Sequence, residues 1–129
     1  MPNLSKTYRD ELQTLLDASP FVHDAKISLD DRGTLWFLRG DVYFIDNSRL
    51  HFRELYIQEP QFYKKTYVHH YQDESEKLIF RYDNAPHYPN LENAPHHKHI
   101  GSKKVVSASI ADMEEVIKEI EIIISKGNR

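Results

Sequence analysis

The sequence predicts an α+β domain: an antiparallel meander sheet of about five strands with an N-terminal and a C-terminal helix packed on it. Apolar residues recur at three- and four-residue spacing near both ends of the chain, which is the helical period. In the middle, polar and apolar residues alternate and turn residues recur. The chain has 129 residues, so we expect one domain over residues 1–129.

The first predicted element is a helix near the N-terminus. Its helically spaced apolar residues are Leu4, Tyr8, Leu12, Leu15 and Leu16. This helix should end by Ala18, because the residue before Pro20 is pushed out of the helical region.

Five strands are predicted after this helix, at residues 21–29, 34–38, 49–58, 63–71 and 77–82. The first two flank a polar tetrad that ends in Gly33, which is typical of a hairpin turn. Because the later connections are also short, the strands should pair in sequence order as an antiparallel meander.

A loop and a second helix complete the predicted fold. Residues 83–95 contain three prolines and three asparagines, a composition that favours an ordered loop. Ser109 is expected to cap a helix over residues 110–126, with Met113, Ile117 and Ile120 on its apolar side.

Composition excludes several classes of protein. The chain has no cysteine, so it cannot form disulfides or use thiol chemistry. It lacks the glycine-rich phosphate loops of nucleotide-dependent enzymes and the GxSxG motif of serine hydrolases. The longest apolar run is too short to cross a bilayer, and the acidic N-terminal residues do not resemble a secretion signal. We therefore expect a cytoplasmic protein that makes no membrane contact.

Histidines are concentrated between residues 78 and 101. Four of the eight in the chain lie there, at His87, His96, His97 and His99. Histidine has an unperturbed pKa near neutrality, so such a cluster can transfer protons, bind a metal or respond to pH.

The strand before this cluster ends in charged residues. Alternation puts Arg81 and Asp83 on one face of the strand and Tyr82 on the other. Arg81 could bind a phosphate or simply pair with Asp83, and the sequence leaves both interpretations open. Tyr82, Asn84 and the more distant Arg53, which lies among aromatic residues, are candidates for substrate binding.

An extended backbone would place His97 and His99 on one face and His96 and Lys98 on the other. Two imidazoles beside a cation suit phosphodiester cleavage without a cofactor, since one ring can accept a proton while the other donates one. Lys98 or Arg81 would stabilise the charge that develops at phosphorus. His97 and His99 are the candidates for base and acid, with His87 or His96 in support and Asp83 or Tyr82 as an orienting group.

Two other interpretations use the same histidines. His87, His97 and His99, with Asp83 or Glu92, could bind a divalent metal such as zinc. The histidines could also be surface residues without chemistry. The neighbours His69 and His70 point to opposite faces of their strand, so at most one of them can join a site.

Two segments carry a family resemblance. They are the run FRYDNAPHYPNLENAPHHKHIG at residues 80–101 and the motif YxxHYQ at residues 67–72, which are followed by an acidic amphipathic helix. Over residues 49–120 the chain resembles the TumE-type toxins of prokaryotic toxin-antitoxin systems. The most specific parts are RYDNAPHxP and PHHKHIG.

The resemblance implies a toxin that inhibits growth until a cognate helix-turn-helix antitoxin binds it. It also points to the charged and polar residues at positions 81–84, to His87 and to residues 96–99. By analogy with other small toxins, it suggests ribonuclease chemistry on RNA. The alternative is a non-enzymatic binding module whose histidine-rich loop binds a partner protein or a metal ion. The apolar C-terminal helix also leaves room for a homodimer.

Overall fold

The computed structural model of the protein describes residues 3–127, which form two helices and one seven-stranded sheet. The elements are α1 (Leu4–Ala18), β1 (Val22–Asp31), β2 (Leu35–Phe44), β3 (Arg49–Ile57), β4 (Tyr63–Gln72), β5 (Leu78–Asp83), β6 (His97–Ile100), β7 (Lys104–Ser107) and α2 (Met113–Gly127). Each strand pairs antiparallel with the next. The predicted fold class is confirmed, with seven strands instead of about five.

The additional strands are β6 and β7, which follow the loop at residues 84–96. Each has four residues, too few for alternation to be recognised in the sequence. Gly101 lies in the turn between them with a φ of 60°, a conformation that favours glycine. β2 is also longer than predicted, since it extends beyond Leu38 to Phe44.

Helix boundaries follow from capping side chains. The side chain of Asn3 accepts a hydrogen bond from the Lys6 backbone N–H at 3.1 Å and caps α1, which ends at Ala18 as predicted. α2 begins later than predicted, because Asp112 instead of Ser109 accepts from the Glu115 backbone N–H at 2.9 Å. Among residues 3–127, neither helix has the length and apolar character needed to span a membrane.

One face of the sheet holds the hydrophobic core. Alternate residues of β2 to β5 on this face are buried with the apolar sides of α1 and α2. The core includes Leu12, Leu16, Trp36, Leu38, Phe52, Tyr71, Phe80, Ile117 and Ile120. We call this the covered face. The opposite face, which includes Arg39, Arg53, His70, Arg81 and His99, is called the open face.

Close packing on the covered face explains a glycine in the middle of β2. A Cβ at Gly40 would lie 2.7 Å from the Lys26 carbonyl oxygen and 2.8 Å from the Phe52 ring. Any larger residue would force β1 or Phe52 to move.

A charged network is buried on the covered face around Glu54, which is 2% exposed. Glu54 Oε2 lies 3.0 Å from Lys64 Nζ and 2.9 Å from His69 Nε2. Its other oxygen accepts hydrogen bonds from the Tyr8 and Tyr56 hydroxyls. Burial by itself would raise the pKa of Glu54, but the hydrogen bond with His69 and the charge of Lys64 lower it to about 2. The network links α1, β3 and β4.

We expect Glu54→Gln to destabilise the fold by about 3–5 kcal/mol, because Lys64 would remain buried without its carboxylate. Urea unfolding monitored by circular dichroism measures this change. The matched control is Glu114→Gln, whose exposed carboxylate should matter by less than about 0.5 kcal/mol. Similar losses in both variants would contradict the proposed importance of the network.

The pH dependence of unfolding gives a second readout of the same prediction. The pKa of Glu54 is lowered from 4.5 to about 2 on folding, so its contribution is complete above pH 4.5 and is lost as pH falls towards 2. The wild-type protein should therefore lose more stability than Glu54→Gln over this range.

Candidate functional site

Strand register arranges the open face in two adjacent rows that run across the sheet. The first row consists of Arg39, Arg53, Val68, Asp83 and His97. The second row consists of Asp41, His51, His70, Arg81 and His99. Neighbouring strands lie about 4.8 Å apart, so residues that are distant in sequence become neighbours in these rows.

Asp83 connects several of these side chains. Its carboxylate is almost fully buried and accepts a hydrogen bond from Arg81 Nε at 2.9 Å. His97 Nε2 lies 2.9 Å from the other carboxylate oxygen, and His99 Nε2 lies 3.8 Å from the oxygen that binds Arg81. The Ala85 backbone N–H also donates to Asp83 at the start of the loop. Asp83 therefore positions two histidines and an arginine together.

His97 is 1% exposed and has an acceptor at each ring nitrogen. Its Nδ1 lies 2.9 Å from the Pro95 carbonyl oxygen, and its Nε2 contacts Asp83. These two contacts hold the imidazole ring in one orientation. This burial prevents direct contact with a large substrate but allows His97 to position Asp83.

His70 and His99 lie on either side of Arg81 in the second row. Both rings are partly exposed. Burial lowers the pKa of His70, and the nearby charges of Arg81 and His51 lower it further. Burial also lowers the pKa of His99; Asp83 opposes this effect, while His97 and Arg81 add to it. Both imidazoles are therefore predominantly neutral at pH 7.

Arg81 has part of its guanidinium available for a ligand. Its side chain is 37% exposed and donates to Asp83 through Nε. Among the hydrogen bonds formed within residues 3–127, none uses its two terminal nitrogens. Those nitrogens can form the paired hydrogen bonds that guanidinium groups make with phosphate.

The loop at residues 84–96 covers one side of this cluster. The Tyr88 ring packs edge-on against His97 and His99, with ring centroids 4.9 and 5.8 Å away. Asn84 attaches the loop to β4: its side chain accepts from the Tyr67 N–H and donates to the Lys65 carbonyl. Asn84 thus has a clear structural role.

Three further predicted site residues contact groups outside the cluster. Lys98 and Tyr82 are on the covered face, where both side chains contact the Glu119 carboxylate of α2 at 2.6 Å. His96 stacks on Tyr67 and contacts its hydroxyl through Nδ1 at 2.9 Å. The remaining predicted histidine, His87, is exposed in the loop.

The predicted residues that the structure brings together are Arg81, Asp83, His97 and His99, while Arg53 lies further along the first row. His70 was not among the predicted site residues, although it belongs to the YxxHYQ motif. Strand alternation puts His70 on the open face and His69 beside Glu54. Arg39 was missed because the predicted strand ended one residue before it.

The same cluster has potential for metal binding. One ligand atom from each of Asp83, His97 and His99 lies within 4.8 Å of the others. The contact of His97 Nδ1 with a carbonyl is also common among metal-binding histidines. A metal would have to replace the proton between His97 and Asp83, and would experience repulsion from Arg81. Within residues 3–127, His87 does not join this group of potential ligands.

Replacing Asp83 by Asn should lower the pKa of His99 further, because the Asp83 carboxylate favours the charged imidazole. NMR titration of the imidazole nitrogens measures this value. Asp41→Asn is the control, since Asp41 contacts His51 instead of His99. An increase in the pKa of His99 in Asp83→Asn would contradict the described electrostatics.

Comparison with known proteins agrees with the motif resemblance. The family model described as Toxin TumE matches residues 12–125 of the chain. Neither the curated proteins nor the solved structures include a significant match. The matched segment covers nearly the whole chain and contains every residue of the site described above. The chain therefore belongs to the TumE toxin family.

Proposed function

We propose that this toxin cleaves RNA without a metal, with Arg81 binding the phosphate that lies between His70 and His99. The arrangement of the second row of the open face supports this mechanism. There, β4, β5 and β6 place an available guanidinium between two partly exposed imidazoles. This arrangement provides two proton-transfer groups and a cation for one phosphodiester.

The proposed reaction is an internal displacement at phosphorus. The ribose 2′-oxygen attacks phosphorus while one neutral imidazole accepts its proton. The bond to the 5′-oxygen breaks, and a protonated imidazole donates a proton to that leaving oxygen. The products are a 2′,3′-cyclic phosphate and a 5′-hydroxyl. The reaction requires a 2′-hydroxyl, so RNA is a substrate and DNA is not.

We assign His70 as the base and His99 as the acid. Burial and the charge of Arg81 favour the neutral form of His70. Asp83 favours the charged form of His99, and a bound phosphodiester would strengthen that effect. Arg81 stabilises the negative charge that develops on the phosphate oxygens.

Asp83 and His97 act in this mechanism as positioning residues. Asp83 holds Arg81 through Nε, which leaves the terminal guanidinium nitrogens available for phosphate. His97 in turn holds Asp83 from the buried side. Catalytic sites need such supporting contacts because small displacements of reacting groups reduce rates sharply.

Membership in a toxin family supports an antitoxin as the partner of this chain. We further propose that this partner is a helix-turn-helix antitoxin and that the toxin degrades RNA in the cytoplasm. Antitoxin binding would then have to prevent RNA from reaching the open face.

We expect His70→Ala and His99→Ala each to lower RNA cleavage by at least about 100-fold and to abolish growth arrest, because each removes a proton-transfer group. Growth and total RNA integrity should be followed together after induction, and mass spectrometry should identify cyclic phosphate ends. Circular dichroism verifies that each variant folds.

His23→Ala is the matched control for this experiment, because His23 is exposed on β1 and lies outside both rows. It should cleave RNA like the wild type. Full toxicity in folded His70→Ala or His99→Ala would overturn the catalytic assignment. Growth arrest by the wild type with intact RNA would overturn RNA cleavage itself.

The metal-binding alternative is favoured by the proximity of Asp83, His97 and His99. The metal-independent mechanism predicts that EDTA leaves RNA cleavage within about two-fold of its original rate, and that excess zinc shifts Tm by less than about 1 °C. Thermal melting and a cleavage assay measure the two effects. Cleavage that EDTA abolishes and zinc restores, with a higher Tm, would replace this mechanism with a metal-dependent one.

A further inference from the structure

Arg39 and Arg53 form an unusual pair on the open face. They lie directly opposite each other on β2 and β3, and both are exposed. Like charges at such positions repel and destabilise an antiparallel pair. Among the ion pairs within residues 3–127, neither arginine contacts a carboxylate. The nearby Asp41 instead contacts Arg49 and His51. A bound anion would relieve this repulsion.

A depression of about 350 Å³ lies beside this pair. Its lining includes Phe37, Leu55, Thr66 and Val68 in addition to the two arginines. Apolar side chains thus lie close to two cations and a hydroxyl. This combination suits a nucleotide, whose base can pack on apolar surface while its phosphate pairs with the guanidinium groups.

The depression lies on the same face as the proposed cleavage site. Arg53 and Arg81 are separated by two inter-strand spacings, with β4 between them, and by one step between the rows. With ordinary strand and residue spacings, their Cα atoms lie about 12 Å apart. A few nucleotides of an extended RNA strand can span this separation. A duplex would keep its bases stacked inside the helix, so they could not pack against the sheet.

We propose that Arg39 and Arg53 form a second phosphate-binding subsite, and that the substrate is single-stranded RNA lying across the open face from β6 towards β2. This inference rests on the proposed function, since it extends the same substrate beyond the phosphate at Arg81. Arg39 and Arg53 contribute to affinity and have no part in proton transfer.

The subsite is tested with the full chain and a fluorescein-labelled, ten-nucleotide, single-stranded 2′-O-methyl RNA, which lacks the attacking hydroxyl. Fluorescence anisotropy gives Kd at several salt concentrations. Arg39→Gln/Arg53→Gln should weaken binding by about ten-fold at 0.15 M salt and reduce the slope of log Kd against log salt by about 1.4, the value for two phosphate contacts on a single strand.

Arg9→Gln/Lys118→Gln is the matched control, because it also removes two positive charges, from helix side chains that contact Asp10 and Glu114. It should retain most of the affinity. Equal losses in the two double variants would overturn a localised subsite, as would unchanged binding in Arg39→Gln/Arg53→Gln. Binding of duplex RNA or polyglutamate as tightly as single-stranded RNA would overturn the assigned ligand.

Cleavage assays separate this inference from the proposed function. A dinucleotide has a single phosphate, which the mechanism places at Arg81, so Arg39→Gln/Arg53→Gln should lower kcat/KM much more on an unmodified ten-nucleotide RNA than on a dinucleotide. Equal kcat/KM values on the longer RNA would overturn the subsite and leave the cleavage mechanism standing. The wild-type protein could instead cleave neither RNA but bind RNA in a way that depends on Arg39 and Arg53. That result would overturn the mechanism and support the subsite.

Discussion

The antiparallel register of β3 to β6 is the constraint on which the candidate site depends. It aligns His70, Arg81 and His99 on adjacent strands and places Asp83 opposite His97. Side chains alternate between the two faces of a strand, so a shift of one residue in β5 would move Arg81 under the helices. The chemistry proposed for the open face therefore requires the same register that buries Phe80 in the core.

The two faces of the sheet use charged residues differently. On the covered face, Glu54 is surrounded by Lys64, His69 and tyrosine hydroxyls, and its contacts connect α1 to the strands. Breaking such a network leaves a buried charge without its partner, so the network strongly favours one arrangement of these elements. On the open face, Arg81 and His99 retain access to solvent, as binding and proton transfer require.

Charge distribution on this protein matters more than its total. The chain carries a formal net charge of -3 at pH 7, which by itself suggests weak attraction to nucleic acid. Yet Arg39, Arg53 and Arg81 share one face of the sheet, and Asp83 is buried between Arg81 and His97 instead of repelling a ligand at the surface. Asp41, the acidic residue of the second row, is engaged by Arg49 and His51, so an anion can approach the three arginines without meeting an unpaired carboxylate in either row.

Local sequence patterns were enough to predict the two helices, the antiparallel order of the strands and the loop, and sequence motifs indicated the family. Alternation also grouped Arg81 with Asp83 and His97 with His99, because it depends only on neighbours in the chain. Tertiary structure decided which groups meet: the loop returns β6 alongside β5, which buries His97 against Asp83, while β4 contributes His70. Periodicity indicates the face that a residue occupies but does not reveal its neighbour on the next strand. That neighbour is set by register and core packing, so only the folded chain distinguishes His99 beside Arg81 from Lys98 beneath α2.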